Sequence, residues 1–182
     1  MNQIALRREE RLARGQNGGM PTHRAPRREM TPAGRLEEAR LQAVLGYQLA
    51  QASIVTDAIF KEQVGTPFEL RPVEYTVLTL IAENPGGSLV RLARALSVTA
   101  PNITALVDRL EAKGLVARNA SKKDKRAQVL QATPDGAELV RVTTSRIVAA
   151  EKIALALTPG EQTILAELLH KVACARDATK QG

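Results

Sequence analysis

Between Ser88 and Ala132 the apolar spacing changes period, and that change limits the folds open to this chain more than any other feature. Leu89, Leu92, Ala93 and Leu96 recur at helical spacing behind Ser88, a residue type suited to an N-cap. After the short Ser97-Val98 turn, Thr99 is a second capping residue, with Pro101 in the following first turn and Ile103, Leu106, Val107 and Leu110 on one face. Gly114 is the residue type most at ease in a left-handed C-terminal cap, and beyond it the period falls to two. Leu115 to Arg118 and Gln128 to Ala132 read as strands, joined by Ser121-Lys122-Lys123-Asp124-Lys125-Arg126.

The flanks are helical. From about Arg35 to Gln63, Leu41, Leu45, Ala52, Val55 and Ile59, with Gln48 filling one step, predict one long amphipathic helix ended by Gly65-Thr66-Pro67. Pro72 opens a shorter helix with Val73, Val77, Leu80 and Ile81 on one face, stopped by Asn84-Pro85-Gly86-Gly87. Thr133-Pro134 restarts a helix to about Leu157. Thr158-Pro159-Gly160-Glu161 is then a capping box ahead of Ile164, Leu165, Leu168, Leu169 and Val172.

The expected fold is mainly α with a small β-hairpin wing. A winged helix-turn-helix lobe spans about 67–132, and a helical dimerisation domain is formed by both chain ends, 34–66 and 133–176, before a tail at 177–182. The outer apolar stripes exceed what the middle lobe can cover, so a symmetric homodimer is expected. Residues 1–33 carry Arg7, Arg8, Arg11, Arg14, Arg24, Arg27 and Arg28 among glycines and prolines. They read as a disordered basic arm, or as an over-long start with translation beginning at Met20 or Met30.

Aromatic residues are 2% of the chain, so the core must be aliphatic, which favours packed helices over a sandwich or barrel. A formal net charge of +7 puts a polyanionic partner first, nucleic acid ahead of anionic lipid. No run of about 20 apolar residues offers a membrane span, and charged residues follow Arg7-Arg8 where an export signal needs an apolar stretch. Cys174 has no second cysteine to pair with, and a cytoplasmic protein is expected. Only His23 and His170 are available to a histidine-based triad, and no glycine-rich phosphate loop precedes a helix, so neither an enzyme nor a cofactor is expected. His170 and Cys174 share a helix face, but two ligands do not close a zinc site, so no metal is expected and Cys174 reads as a small apolar residue.

The second helix of such a lobe enters the major groove and needs short polar groups at its N-terminal end, where free backbone N–H groups also face phosphate. Thr99, Ala100, Pro101, Asn102 and Thr104 form that end. Asn102 is the one residue there suited to a bidentate contact with adenine, while Thr99 and Thr104 suit phosphate or a thymine methyl. Lys122, Lys123, Lys125 and Arg126 suit phosphate or the adjacent minor groove. Taken singly, Thr99 is a helix cap and the basic loop a solvated surface; their order and spacing argue for double-stranded DNA. An architectural DNA-binding protein or an adaptor without an effector is the alternative.

In these stretches the sequence resembles the MarR family of bacterial regulators. Leu70-Arg71-Pro72-Val73-Glu74-Tyr75-Thr76-Val77-Leu78 matches its helix 2, Leu92-Ala93 its third helix, and Val98-Thr99 to Asp108-Arg109-Leu110-Glu111-Ala112-Lys113-Gly114-Leu115-Val116 its recognition helix. Asp124-Lys125-Arg126 matches its wing and Thr133-Pro134-Asp135-Gly136 the start of its helix 5. The resemblance covers about Arg35 to Ala175 and implies a homodimeric transcriptional regulator, commonly a repressor, on a palindromic operator, often with an effector pocket between the dimerisation domain and the DNA-binding lobe. It implies that Arg126 enters the minor groove, that Asp124 orients the wing, and that Arg109 stands near the DNA backbone or pairs with a wing carboxylate; ordinary pairing on the helix surface is the plainer role for Arg109 and Asp108. Small aromatic acids often fill the pocket, and Tyr47, Ser53, Phe68, Arg71 and Tyr75 are the candidates here, with Arg71 suited to a carboxylate. Two positions depart from the pattern: Ala105 follows Thr104 where many relatives have a basic residue, and Arg71 precedes Pro72 where Thr is usual.

Overall fold

The computed structural model describes residues 30–120 and 128–178, with side chains to Ala175. The chain divides into two units, one up to Gln48 and one from Leu49. In the first, a turn closed by the Thr31 N–H on the Leu36 carbonyl at 2.9 Å brings Met30 opposite Glu37. Gly34 and Arg35 are both left-handed, φ 75° and 50°, so no right-handed helix begins at Arg35 as its spacing predicts. Residues 30–33 thus belong to this turn and not to the arm, and the first helix starts at Leu45.

That helix, α1 (Leu45–Phe60), also outruns its expected stop, through a π turn at Lys61–Gly65 and a last turn at Thr66–Phe68. Gly65 keeps right-handed helical angles, φ −56° and ψ −54°. In the wider turn the Thr66 N–H reaches back to the Lys61 carbonyl. Pro67 falls in the first turn of the Thr66–Phe68 segment, a position where a proline is tolerated. Glu69, at φ 50°, ends the run.

The lobe follows as α2 (Pro72–Glu83), α3 (Leu89–Leu96), α4 (Ala100–Ala112), and an antiparallel pair, β1 (Val116–Ala120) and β2 (Gln128–Ala132). Val116 stands opposite Ala132 and Ala120 opposite Gln128. Ser88 caps α3 as expected, accepting the Arg91 N–H at 3.4 Å, and Ser97 at φ 53° turns the chain toward α4. The Asn84-to-Gly87 break does more than stop α2. The Gly86 N–H donates to the Leu130 carbonyl and the Leu130 N–H to that of Gly87, both at 2.9 Å, which ties the hairpin to the lobe.

Ile103, Leu106, Val107 and Leu110 of α4 are all buried, the face its spacing predicts. They pack with Val77, Leu78 and Ile81 of α2, Leu92 and Ala93 of α3, Val116, Leu130, and Val140 of the next helix. α2 is rotated from its expected setting: Val73 is exposed and Leu80 half-buried, while Leu78 and Glu74 face inward.

α5 (Pro134–Ala154) stops short of the expected Leu157, and α6 (Pro159–Ala178) begins at the expected capping box. The Thr158 N–H donates to Glu161 Oε2 at 2.8 Å and the Glu161 N–H to Thr158 Oγ1 at 3.3 Å. No described side chain of α6 is buried. Ile164, Leu165, Leu168, Leu169 and Val172 are 40–58% exposed, and α1 likewise shows Leu49, Ile54 and Val55 to solvent. Among the described residues no helix is long and apolar enough to cross a membrane.

Candidate nucleic-acid interface

The N-terminal end of α4 is anchored from within and open on the outside. Thr99, Ala100, Pro101, Asn102 and Thr104 are all exposed around the fully buried Ile103. Thr99 holds the N-cap position, yet its side chain makes no capping hydrogen bond. Pro101 removes one of the two N–H groups that such a side chain reaches, leaving only that of Asn102. The Thr104 hydroxyl donates to the Ala100 carbonyl at 2.9 Å, so in this rotamer it has no proton to offer a phosphate and its methyl is its free feature.

The C-terminal half of α4 is held by charge. Arg109 Nε donates to Glu74 Oε1 at 2.8 Å, so Arg109 pairs with α2 rather than with Asp108. Glu74 is 2% exposed. Its other oxygen accepts the Arg71 N–H at 3.1 Å, so Glu74 caps the start of α2. Burial pushes the Glu74 carboxyl up, but the Arg71 N–H, the Arg109 guanidinium and the nearby Lys113 outweigh it and hold the group below the ordinary carboxylate range. Lys113 Nζ donates to the Glu69 carbonyl at 2.7 Å. Asp108 and Glu111 both receive the guanidinium of Arg118 from β1, which fastens the recognition helix to the hairpin.

Thr133 and Gly136 set the hairpin's return. The Thr133 N–H donates to the Leu115 carbonyl at 3.0 Å and its hydroxyl to that of Gly114 at 2.7 Å, while the same hydroxyl accepts the Gly136 N–H at 3.0 Å. A Cβ on Gly136 would lie 2.1 Å from the Leu115 oxygen, so only glycine fits. Lys122, Lys123, Asp124, Lys125 and Arg126, expected to form the wing tip, lie outside the described residues.

The five effector candidates are not all brought together. The Tyr75 hydroxyl bonds Thr144 of α5 at 2.7 Å and its ring stands 5.7 Å from that of Phe60. Phe68 lies under the Arg146 guanidinium at 5.1 Å, two residues farther along α5. Ser53 lines a separate, largely apolar groove of about 480 Å³ with Leu49, Val55, Leu155 and Leu169. The Arg71 side chain is 70% exposed. Tyr47, in the first unit, donates its hydroxyl to Glu38, which raises the phenol above its ordinary value.

Glu74, Arg118 and Arg146 escape sequence reasoning. An R-x-x-E spacing at Arg71 and Glu74 is a faint capping signal, whereas nothing local marks Arg118 as the partner of residues seven and ten positions away. Among the described residues no cluster of His, Cys, Asp and Glu forms a metal site, and His170 with Cys174 remains an exposed pair at 3.5 Å.

A sequence model of the MarR family matches residues 70–127. A putative transcriptional regulatory protein for the hcr operon of Thauera aromatica is 32% identical over 129 residues, covering 70% of this chain and 78% of that protein. Among solved structures, the transcriptional repressor CouR bound to a 23-mer DNA duplex superposes with a TM-score of 0.68 at 27% identity, covering 76% of this chain and 98% of CouR. CouR from Rhodococcus jostii RHA1 bound to p-coumaroyl-CoA gives 0.64 at 25% identity, covering 73% and 94%.

Proposed function

This chain belongs to the MarR family and is a DNA-binding transcriptional regulator, and from that premise we propose that two copies form a repressor that leaves its operator when a small aromatic carboxylate, or its thioester, binds. The observation that carries the reading is the exposed start of α4, with Asn102 outward and Ile103 locked inward. Dimerisation through α1, α5 and α6 covers their exposed apolar stripes, at roughly 1.5–3 kcal/mol for each large side chain fully buried. Two α4 helices then meet successive major grooves one helical turn apart on an inverted repeat. Asn102 reads a base, Thr99 and the free N–H groups of α4 hold phosphate, and Lys122, Lys123, Lys125 and Arg126, oriented by Asp124, reach the neighbouring groove.

The effector side rests on the relative bound to p-coumaroyl-CoA. In this chain Phe68 and Tyr75 lie against α5 at Arg146 and Thr144, and α5 itself starts at the Thr133–Gly136 junction with the hairpin. A ligand that parts either aromatic from α5, with its carboxylate on Arg146 or Arg71, changes how α5 holds the lobe. Because half-site spacing is fixed, a small change in lobe separation costs much affinity, which is the differential binding that a switch requires. The protein works in the cytoplasm and has no catalytic role in this account.

Selection of bound sequences from random duplexes tests the proposal, repeated with a panel of aromatic acids and their CoA thioesters. Recovery of an inverted repeat with half-sites about 10 base pairs apart, released by one panel member, is the expected result. Binding without sequence preference, insensitive to every ligand, would leave an architectural protein instead.

A further inference from the structure

Glu74 is an acid placed inside the lobe of a protein whose partner is a polyanion, and its surroundings give it a task. Its side chain is 3% exposed, yet both oxygens are engaged, one by Arg109 of α4 and one by the backbone at the start of α2. Arg109, by contrast, is 42% exposed, on the last turn of the helix whose first turn faces DNA. A cation there invites a phosphate role. Two features oppose it: Arg109 Nε is bonded to a buried carboxylate that would be stranded in the interior if the guanidinium swung out to follow a phosphate, and Lys113 one turn on is also turned inward, to the Glu69 carbonyl.

We propose that Glu74 and Arg109 are a positioning pair that sets the pitch of α4, and that Arg109 serves DNA binding through Glu74 rather than by touching phosphate. This rests on the DNA-binding reading above. Asn102 and Arg109 are seven residues apart, about 10 Å along a helix. A tilt of about 10° about the Arg109 end therefore moves the Asn102 end by nearly 2 Å, enough to break a base contact whose donor–acceptor distance is about 3 Å. The lever also runs through the junction between α1 and α2, since Glu69 and Arg71 flank it.

The test uses the full-length protein, its selected operator and a scrambled duplex of equal length, with binding read by fluorescence anisotropy over a range of salt. Glu74→Gln and Arg109→Lys are made singly and together. Each single variant should lose about tenfold in operator affinity, the size of one lost base contact, while scrambled-duplex affinity and the salt slope stay at wild-type values. The double variant should be no worse than the weaker single one, because both break one pair. Arg109→Lys keeps the charge at a half-exposed site, so it tests the idea even if Glu74→Gln unfolds, which thermal melts will show. Wild-type operator affinity in Arg109→Lys would overturn the proposal. So would tighter operator binding by a folded Glu74→Gln, the result that removing a negative charge predicts by itself. An Arg109→Gln variant whose salt slope drops by about 0.9 would also overturn it, by exposing a phosphate contact. Wild-type protein that bound neither duplex would instead sink the DNA-binding reading.

Discussion

Gly136→Ala should destabilise the protein, although alanine in place of glycine within a helix normally stabilises it. Its Cβ would sit 2.1 Å from the Leu115 oxygen and 3.0 Å from the Leu115 carbonyl carbon, both backbone atoms that no rotamer can withdraw. Reaching an ordinary contact near 3.4 Å requires the start of α5 to move off Leu115 by more than an ångström. That movement stretches the two bonds from Thr133, 3.0 Å to Leu115 and 2.7 Å to Gly114. Overpacking of this kind costs about 1–3 kcal/mol, and each lost hydrogen bond about 1 kcal/mol. A total of about 3–5 kcal/mol is a large part of the 5–15 kcal/mol roughly available to a native domain. Urea unfolding followed by far-UV circular dichroism, at one fixed protein concentration, should show a midpoint lower by about 2 M for a slope near 2 kcal/mol/M. Gly160→Ala is the control, since nothing lies within 4 Å of its added Cβ, and should leave the midpoint unchanged or slightly raised. A Gly136→Ala midpoint equal to wild type would refute the view that this glycine is required by the contact with Leu115.

Asn102→Ala should relax preference at one operator base pair by about 1–3 kcal/mol without changing the salt slope, as read by repeating the selection. Arg126→Ala should weaken binding to all sequences and reduce the salt slope by about one; an unchanged slope would remove Arg126 from the phosphate and minor-groove contacts. Leu168→Glu, on the exposed face of α6, should yield monomers by light scattering that fail to hold an inverted repeat. Stability should also fall on acidification. With its carboxyl held below the ordinary value of about 4.5, Glu74 contributes stability above that pH and loses it as pH drops through the range, so Glu74→Gln should show a shallower decline between pH titration points there.

The lobe was legible in the sequence because local signals agree with its tertiary packing. The α4 stripe from Ile103 to Leu110 is buried whole, and Ser88 and Thr158 cap where their residue types suggest. Sequence and structure part where tertiary packing overrules a local signal. Gly65-Thr66-Pro67 looks like a stop, yet a π turn carries α1 past it, a backbone choice that no residue type announces. Residues 35–44 have helical spacing, but the left-handed pair Gly34 and Arg35 belongs to a different local structure. On α2, apolar periodicity favoured Val73 for the inward face and so missed Glu74, because a pattern of apolar residues is blind to a carboxylate whose burial is offset by an arginine 35 positions away. The Arg118 bridge is hidden for the same reason, as its partners share a site only after the hairpin folds back on α4.

The two acids on α4 pose a problem that the hairpin solves. Asp108 and Glu111 lie on the helix proposed to face DNA, where unpaired carboxylates repel a polyanion across distances below the Debye length of about 8–10 Å. Arg118 pairs with both, offsetting one of their two negative charges, and in doing so commits its own charge to placement of the hairpin rather than to DNA. Arg109 forms a second such pair, with Glu74 of α2. Charge in the C-terminal half of α4 therefore serves geometry, and on the proposed function phosphate is left to other cations, Lys122, Lys123, Lys125 and Arg126 first among them. On this division, neutralising loop residues should lower affinity for every duplex, whereas breaking an α4 ion pair should lower affinity only for the right one.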